Sequence, residues 1–163
     1  MPKQVLFVCT GNICRSPMAE VILRARLGAK SEWKVASAGV AAINGEPASE
    51  EAVAVCRELG LDLRKHGSQP VTRELLDQSR WIVVMTRMHL EILARRFPEL
   101  HARIRLLKSF GFSKEFEDIP DPIGSSHDVY RTVRDAIESA ISDLVIFLME
   151  QDGRHKPGKE HKK

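Results

Sequence analysis

The sequence predicts a single doubly wound α/β domain, in which a four-stranded parallel sheet is covered by helices on both faces. Strand patterns alternate with helical patterns along the chain. Each strand pattern is nearly all apolar, which is typical of parallel strands buried on both faces. The 163 residues contain no internal repeat, and this length is usual for one domain with a substantial core.

The first half of the chain predicts two strands and two helices. Ser16 and Pro17 are typical of the N-cap and first position of a helix, and Gly60 is typical of a helix end. The predicted elements are a strand from Gln4 to Cys9, a helix through Leu27, a strand from Trp33 to Ala38, and a helix from Ala48 to Leu59 with Val53, Cys56 and Leu59 on its core face.

The second half predicts a short helix, two strands and two longer helices. The predicted ranges are a helix from Thr72 to Ser79, a strand from Arg80 to Thr86, a helix from His89 to Phe97 halted by Pro98, a weaker strand from Arg103 to Leu107, a loop from Lys108 to His127, and a final helix with apolar positions Val129, Val133, Ile137, Ile141, Leu144 and Leu148. We expect His89 and His101 at the surface and Tyr130 partly buried.

The positive charge of the chain is concentrated at its end. Of 25 Lys and Arg and 22 Asp and Glu residues, residues 152–163 hold five and two, which leaves 20 of each in residues 1–151. A neutral body gives no indication of nucleic-acid binding. We therefore predict one domain over 1–151 and a basic, disordered tail over 152–163, which is either merely solvated or contacts an acidic partner.

Cysteine usage and hydropathy indicate a cytoplasmic protein. No apolar run is long enough to span a bilayer, and the first residues do not resemble a signal peptide. Three cysteines, an odd number, do not form the framework of a secreted disulfide-rich domain. The absence of a CxxC pair and the scattered histidines also predict that the protein has no metal site, and we expect neither a metal nor an organic cofactor.

The turn after the first strand, CTGNICRS at residues 9–16, has the features of a phosphate-binding site. Between a strand end and a helix start, successive backbone N–H groups surround an anion and the helix dipole adds positive potential. We call residues 10–15 the phosphate-binding loop: Thr10, Gly11, Asn12, Ile13, Cys14 and Arg15. The nucleotide-binding patterns GxxxxGK[ST] and GxGxxG are absent. The planar guanidinium of Arg15 is suited to holding two oxygens of a phosphoryl group.

A thiol and a distant carboxyl complete a candidate catalytic site. Positive potential at a helix start beside Arg15 favours the thiolate of Cys9, which makes it a nucleophile. Ser16 is placed to donate a hydrogen bond to that thiolate, and Asn12 to brace the loop. Because strand ends of a parallel sheet share one edge, the loop carrying Asp121 should face Cys9 and supply the general acid and base. Asp118 is the fallback for this role.

These segments resemble the low-molecular-weight protein tyrosine phosphatases. The resemblance rests on VCTGNICRSPMAE at 8–20, SAG at 37–39, LRKHGSQPVT at 63–72, VVMT at 83–86 and DIPDP at 118–122. It implies that Cys9 is the nucleophile, Arg15 binds phosphate and Asp121 is the general acid and base, and it agrees with the roles of Ser16 and Asn12. It also implies that Cys14 forms a reversible disulfide with Cys9, which protects the nucleophile from irreversible oxidation.

Two substrate signals within this family disagree. Tyrosine-specific members usually have aromatic residues after the acid Asp-Pro and after the second strand, whereas this chain has Ile123 and Gly124 and no aromatic residue over 40–47. We call residues 118–126 the acid loop; from Asp121 onward it is more similar to the corresponding loop of the protein-arginine phosphatase branch. That branch has a threonine where this chain has Ile13, as tyrosine-specific members do. We give Ile13 more weight because it lies beside the phosphoryl group and would crowd a guanidinium.

The sequence therefore predicts a phosphatase of phosphotyrosine in proteins, with arginine phosphatase as the alternative. Two other readings are less favoured. Arsenate reductases share the CxxxxxRS pattern but resemble a relay of further cysteines, and residues 80–100 contain none. A module that only binds phosphoanions would need neither the thiolate of Cys9 nor the carboxyl of Asp121.

Overall fold

The computed structural model describes residues 2–111 and 117–154 and confirms the predicted α/β fold. The elements are β1 (Gln4–Cys9), α1 (Arg15–Leu27), β2 (Lys34–Gly39), α2 (Glu50–Arg57), α3 (Arg73–Asp77), β3 (Trp81–Val84), α4 (Arg87–Arg96), β4 (Ile104–Leu106) and α5 (His127–Arg154), with 3₁₀ segments at Pro98–Arg103 and Leu107–Phe110.

The sheet is parallel throughout, with strand order β2-β1-β3-β4. β1 lies in the middle, so that Val5 faces Val35 of β2 on one side and Trp81 of β3 on the other. At the far end of β1, Cys9 is paired with Gly39. The carboxyl ends of the strands thus share one edge, as a parallel sheet requires.

The alternating side chains of β1 face two separate cores. Val5, Phe7 and Cys9 belong to the core that contains buried residues of α1, α2 and α5. Leu6 and Val8 belong to the other core, with buried residues of α3 and α4. The sheet is therefore covered on both faces, which explains why the sequence of β1 is apolar at every position from Val5 onward.

The starts of α1 and α2 differ from the predictions. α1 begins at Arg15, with Cys14 as its N-cap residue, and the hydroxyl of Ser16 contacts Cys9 and Asn12 instead of capping the helix. The predicted helix from Ala48 to Leu59 is shorter, because Ser49 caps it by accepting from the backbone N–H of Ala52. Leu59 lies beyond its end and is 37% exposed, so the prediction that Leu59 lies on the core face was wrong.

The C-terminal helix continues to Arg154, three residues past the predicted boundary of the domain. Residues 155–163, which make up most of the predicted tail, lie outside the described residues. Near the start of α5, Val129 is exposed and Tyr130 is fully buried, so the apolar stripe begins one position later than the spacing predicted. In the described part of the chain, none of the helices has the length and apolar character needed to cross a membrane.

Candidate active site

The phosphate-binding loop comes directly after β1 and passes close to the end of β2. Asn12 has a positive φ of 57°, a conformation that asparagine tolerates better than most residues. At Gly39 a side chain would collide with the backbone carbonyl oxygen of Thr10 and approach the backbone nitrogen of Asn12 to 3.0 Å. The SAG segment therefore supplies a glycine where the loop passes against β2.

Asn12 is fully buried and uses its whole side-chain amide. Its Nδ2 donates to Ser16 Oγ at 2.8 Å and to Ser37 Oγ at 3.0 Å. Its Oδ1 accepts from the backbone N–H of Gln69 at 3.0 Å. The backbone carbonyl of Asn12 also lies 2.7 Å from His66 Nε2. The loop is thus fixed at its centre by groups from α1, β2 and the segment after α2.

Ser16 connects Asn12 to the thiol of Cys9. Ser16 Oγ lies 2.9 Å from Cys9 Sγ, and both residues are buried. The amide of Asn12 can only donate through Nδ2, so Ser16 Oγ accepts there and keeps its own proton for the sulfur atom. The arrangement therefore stabilises a negative charge on Cys9 through one hydrogen bond that Asn12 orients.

Arg15 lies under the loop that carries the acidic residues. Its Nη1 donates to the backbone carbonyl of Ile119 at 3.0 Å, and its Nη2 lies 3.6 Å from Asp121 Oδ2. Arg15 is buried, whereas the side chain of Asp121 is 45% exposed. Asp118 is used elsewhere, because its Oδ1 accepts from the backbone N–H of Arg87 at 2.9 Å at the start of α4.

A cleft of about 200 Å³ lies between the phosphate-binding loop and the acid loop. The predicted residues that line it are Cys9, Thr10, Gly11, Ile13, Cys14, Arg15 and Asp121, and Ile123 adds an apolar wall. Asn12 and Ser16 are fully buried behind this surface. The structure thus brings all the predicted site residues together and separates those that line the cleft from those that support it.

The thiol of Cys14 is hydrogen-bonded to two hydroxyl groups. Its Sγ lies 3.4 Å from Ser49 Oγ and 3.3 Å from the hydroxyl of Tyr130. Burial raises the pKa of the Cys14 thiol, although the two hydroxyl groups partly offset the effect. Cys9, Cys14 and Cys56 are all free thiols in this structure. Cys14 is therefore a protonated, hydrogen-bonded thiol that lines the same cleft as Cys9.

His89 is the residue of this region that the sequence analysis placed wrongly. The prediction put it at the surface, but its side chain is completely buried. Its ring bonds Thr10 of the phosphate-binding loop and Thr86 at the start of α4. The available signal was its position three residues after Thr86, in the first turn of a helix that starts at the catalytic edge of the sheet. His101, in contrast, is exposed as predicted.

The residues described here, 2–111 and 117–154, contain no cluster of three His, Cys, Asp or Glu side chains that could hold a metal ion. The cleft instead offers a buried thiol, a guanidinium, a loop of backbone N–H groups and a carboxyl. This set of groups can bind an oxyanion, attack its central atom and transfer a proton.

Comparisons with known proteins agree with this geometry. Residues 4–154 match the family model of the low molecular weight phosphotyrosine protein phosphatases. The chain is 40% identical to a protein-arginine-phosphatase of Geobacillus stearothermophilus, over 88% of this chain and 95% of that protein. It is 36% identical to a probable low molecular weight protein-tyrosine-phosphatase of Erwinia amylovora, over 89% and 96%.

Solved structures show the same fold. The YwlE arginine phosphatase from Geobacillus stearothermophilus superimposes with a TM-score of 0.88 at 37% identity, covering 96% of this chain and 99% of that one. The tyrosine phosphatase Wzb from Escherichia coli K30 gives a TM-score of 0.82 at 35% identity, covering 91% and 99%. From its fold, its cleft and these matches, the chain belongs to the low molecular weight phosphotyrosine protein phosphatase family.

Proposed function

We propose that the protein hydrolyses phosphotyrosine in proteins through a cysteinyl-phosphate intermediate. The observation that carries the proposal is the cleft itself, in which the thiol of Cys9, the guanidinium of Arg15 and the carboxyl of Asp121 face one space. The hydrogen bond between Ser16 and Cys9 supports the choice of Cys9 as nucleophile.

In the first step, the thiolate of Cys9 attacks phosphorus and forms an S–P bond. The P–O bond to the leaving group breaks, and Asp121 in its carboxylic acid form donates its proton to the leaving oxygen. In the second step, Asp121, now a carboxylate, takes a proton from water as the water attacks phosphorus. The S–P bond breaks, inorganic phosphate leaves, and the thiolate of Cys9 is restored.

Arg15 and the backbone N–H groups of the loop act on the phosphoryl oxygens in both steps. Because Ile119 fixes one edge of the Arg15 guanidinium, the remaining donors are already oriented when substrate binds. Fixed donors aimed at developing charge supply a large part of the rate enhancement in such reactions. Ser16 stabilises the thiolate before attack and again when it leaves in the second step.

Two apolar side chains in the cleft bear on the choice of substrate. Ile13 and Ile123 both line it and offer apolar contact to a phenyl ring. Several relatives are named tyrosine phosphatases, including those of Erwinia amylovora and Escherichia coli. Protein-arginine phosphatase is the second candidate, because relatives of that name from Geobacillus stearothermophilus and Bacillus subtilis are 40% and 35% identical to this chain.

The decisive experiment compares kcat/KM for a phosphotyrosyl and a phosphoarginyl peptide of the same sequence, with Cys9→Ser as the blank. We expect the phosphotyrosyl peptide to be preferred, because Ile13 lacks a hydroxyl group to bind a guanidinium and crowds it. Replacement of Ile13 by Thr should then move the ratio toward phosphoarginine. A clear preference of the wild type for phosphoarginine would instead favour the second candidate.

The remaining features of the protein belong to the same proposal. The phosphatase domain, predicted over residues 1–151, includes α5 as far as Arg154, and it acts on phosphorylated proteins in the cytoplasm without a metal or organic cofactor. The basic tail is not part of the catalytic machinery, and an acidic partner is the alternative to simple solvation. The disulfide between Cys9 and Cys14 stays a prediction. In this structure Cys14 is a free thiol that is hydrogen-bonded to Ser49 and Tyr130.

A further inference from the structure

His89 is a buried titratable group that the proposed mechanism does not use. It lies in the first turn of α4, and none of its side chain is exposed. A buried imidazole stabilises a fold only when both of its nitrogen atoms have partners. The partners of His89 therefore indicate what this residue does.

Both ring nitrogen atoms of His89 meet threonine hydroxyl groups. Nε2 lies 2.8 Å from Thr10 Oγ1, and Nδ1 lies 3.0 Å from Thr86 Oγ1. Thr86 is also the N-cap of α4, since its Oγ1 accepts from the backbone N–H of His89 at 3.2 Å. The imidazole thus connects the capped start of α4 to the first residue of the phosphate-binding loop.

The surroundings keep this imidazole neutral. Burial, and then the charge of Arg15, lower the pKa of His89 to about 4, while Asp118 and Asp121 act in the opposite direction. A neutral imidazole has one donor and one acceptor nitrogen, which matches two hydroxyl groups. At neutral pH it therefore contacts the loop without placing a second positive charge beside Arg15.

Thr10 is the point at which this connection reaches the site. It follows Cys9 directly and lines the cleft. Its backbone carbonyl accepts from the N–H of Ala41 at 3.0 Å, so the segment after β2 fixes its backbone and α4 fixes its side chain. Each of these two hydrogen bonds limits how far the loop between Cys9 and Arg15 can rearrange.

We propose that His89 is a positioning residue of the phosphatase site, which holds Thr10 so that the phosphate-binding loop keeps the shape that binds a tetrahedral oxyanion. The inference rests on the proposed function, because it concerns the same site. It adds a residue on α4 that touches neither the nucleophile nor the general acid and acts on phosphate binding through Thr10.

The test measures binding of inorganic phosphate to the full chain by isothermal titration calorimetry at pH 7. His89→Asn keeps a polar atom near the position of Nδ1 but is too short to reach Thr10. His89→Gln places its terminal amide near the position of Nε2 and can still bond Thr10. The two variants therefore separate the contact with Thr86 from the contact with Thr10.

We expect His89→Asn to weaken phosphate binding by about tenfold, as the loss of one hydrogen bond predicts. His89→Gln should restore binding to within about threefold of the wild type. Thr10→Val should weaken binding as much as His89→Asn, and the double variant should be no weaker than either single variant, because both changes remove the same contact.

Two controls separate positioning from general stability. Leu93→Ala removes a fully buried side chain from the same helix, and it should lower the free energy of unfolding without weakening phosphate binding. His101→Asn changes an exposed histidine and should have no effect. If Leu93→Ala weakens binding as much as His89→Asn does, His89 has a structural role only and the proposal is wrong.

Three other results would also overturn it: unchanged phosphate binding in His89→Asn, additive effects in the double variant, or no rescue by His89→Gln. If His89→Asn does not fold, Thr10→Val decides, since it should bind phosphate about tenfold more weakly than the wild type and binding equal to the wild type contradicts the proposal. Phosphate binding needs no turnover. A wild type that binds phosphate as described here but hydrolyses no phosphopeptide would contradict the proposed function alone.

Discussion

At the scale of single residues, the site separates two carboxylates that the sequence places close together. Asp118 accepts a hydrogen bond from the backbone N–H of Arg87 and so fixes the acid loop to the start of α4. Asp121 lines the cleft and lies 3.6 Å from Arg15. The sequence favoured Asp121 over Asp118 as the proton donor, and these contacts give a geometric reason for that preference.

Replacement of Asp121 by Asn should lower kcat for substrates with an alkyl or phenolic leaving group by about 10²- to 10⁴-fold. This is the usual contribution of a general acid. Binding of inorganic phosphate should change little, because Arg15 and the loop are intact. Steady-state kinetics and phosphate inhibition measure the two effects. Asp118→Asn is the matched control, and a larger loss of kcat in Asp118→Asn than in Asp121→Asn would reverse the assignment.

The cleft residues that the sequence could locate are those with a fixed spacing in one loop. Cys9 and Arg15 are set by the strand, turn and helix around them, so local pattern alone locates them. His89 has no such pattern, since its partner Thr10 is distant in sequence and only the folded sheet brings α4 beside the loop. Ser16 followed by Pro17 reads locally as a helix start, but the contact with Cys9 overrides this local preference.

At the scale of elements, a group of charges joins the end of α2 to α5. Glu58 accepts from Arg131 at 2.7 Å and from Arg134 at 2.7 Å. Arg134 is buried and also donates to the backbone carbonyl of Val55 at 2.9 Å. Hydrogen bonds from Arg131 and then Arg134 outweigh partial desolvation and lower the pKa of Glu58 to about 2.

This lowered pKa predicts a dependence of stability on pH. A carboxyl whose pKa is lower in the folded state contributes stability above its unfolded value of about 4.5, and loses it as pH falls toward 2. Glu58→Gln should therefore lower the free energy of unfolding at pH 7, and the difference from wild type should shrink to nothing as pH falls through about 2. Urea unfolding at several pH values measures the difference.

Glu150→Gln, at an exposed position of α5, is the control and should leave the free energy of unfolding nearly unchanged. If the difference in free energy of unfolding between the wild type and Glu58→Gln stays constant from pH 7 to pH 2, the carboxylate charge is not what joins α2 to α5.

Element types were predictable from the sequence, and most of the errors lie at their ends. Strands read as apolar runs and helices as spacings of three and four, which local sequence carries directly. Boundaries depend on hydrogen bonds that the pattern does not reveal. α2 begins at Glu50, two residues later than the apolar pattern suggested, because Ser49 is its N-cap. Tyr130 takes the core position expected for Val129, and its hydroxyl hydrogen-bonds to Ser49 and Cys14.

At the scale of the whole molecule, the two cores on either face of β1 hold the catalytic edge in place. α5 supplies several fully buried residues to the core that also contains Cys9 and Cys14. The central strand thus carries Cys9 at its end while both of its faces are buried, so the position of Cys9 is fixed by packing rather than by the site itself.

Leu144→Ala should lower the free energy of unfolding by about 2–5 kcal/mol, because Leu144 is fully buried in that core and its loss leaves a cavity. Ile146→Ala, on the same helix but 51% exposed, should change it by less than about 0.5 kcal/mol. Chemical denaturation measures both. Equal losses in the two variants would mean that α5 does not pack as described.

In the proposed mechanism, Cys9 carries the phosphoryl group during turnover. The most direct test is to mix Asp121→Asn with excess p-nitrophenyl phosphate, quench with acid and analyse the peptides by mass spectrometry. This leaving group needs little protonation, whereas hydrolysis of the intermediate needs the base, so the intermediate should accumulate. We predict one phosphoryl group on Cys9 and none on the same peptide of Asp121→Asn combined with Cys9→Ala. Turnover without a phosphorylated Cys9, or activity that survives Cys9→Ala, would contradict the account.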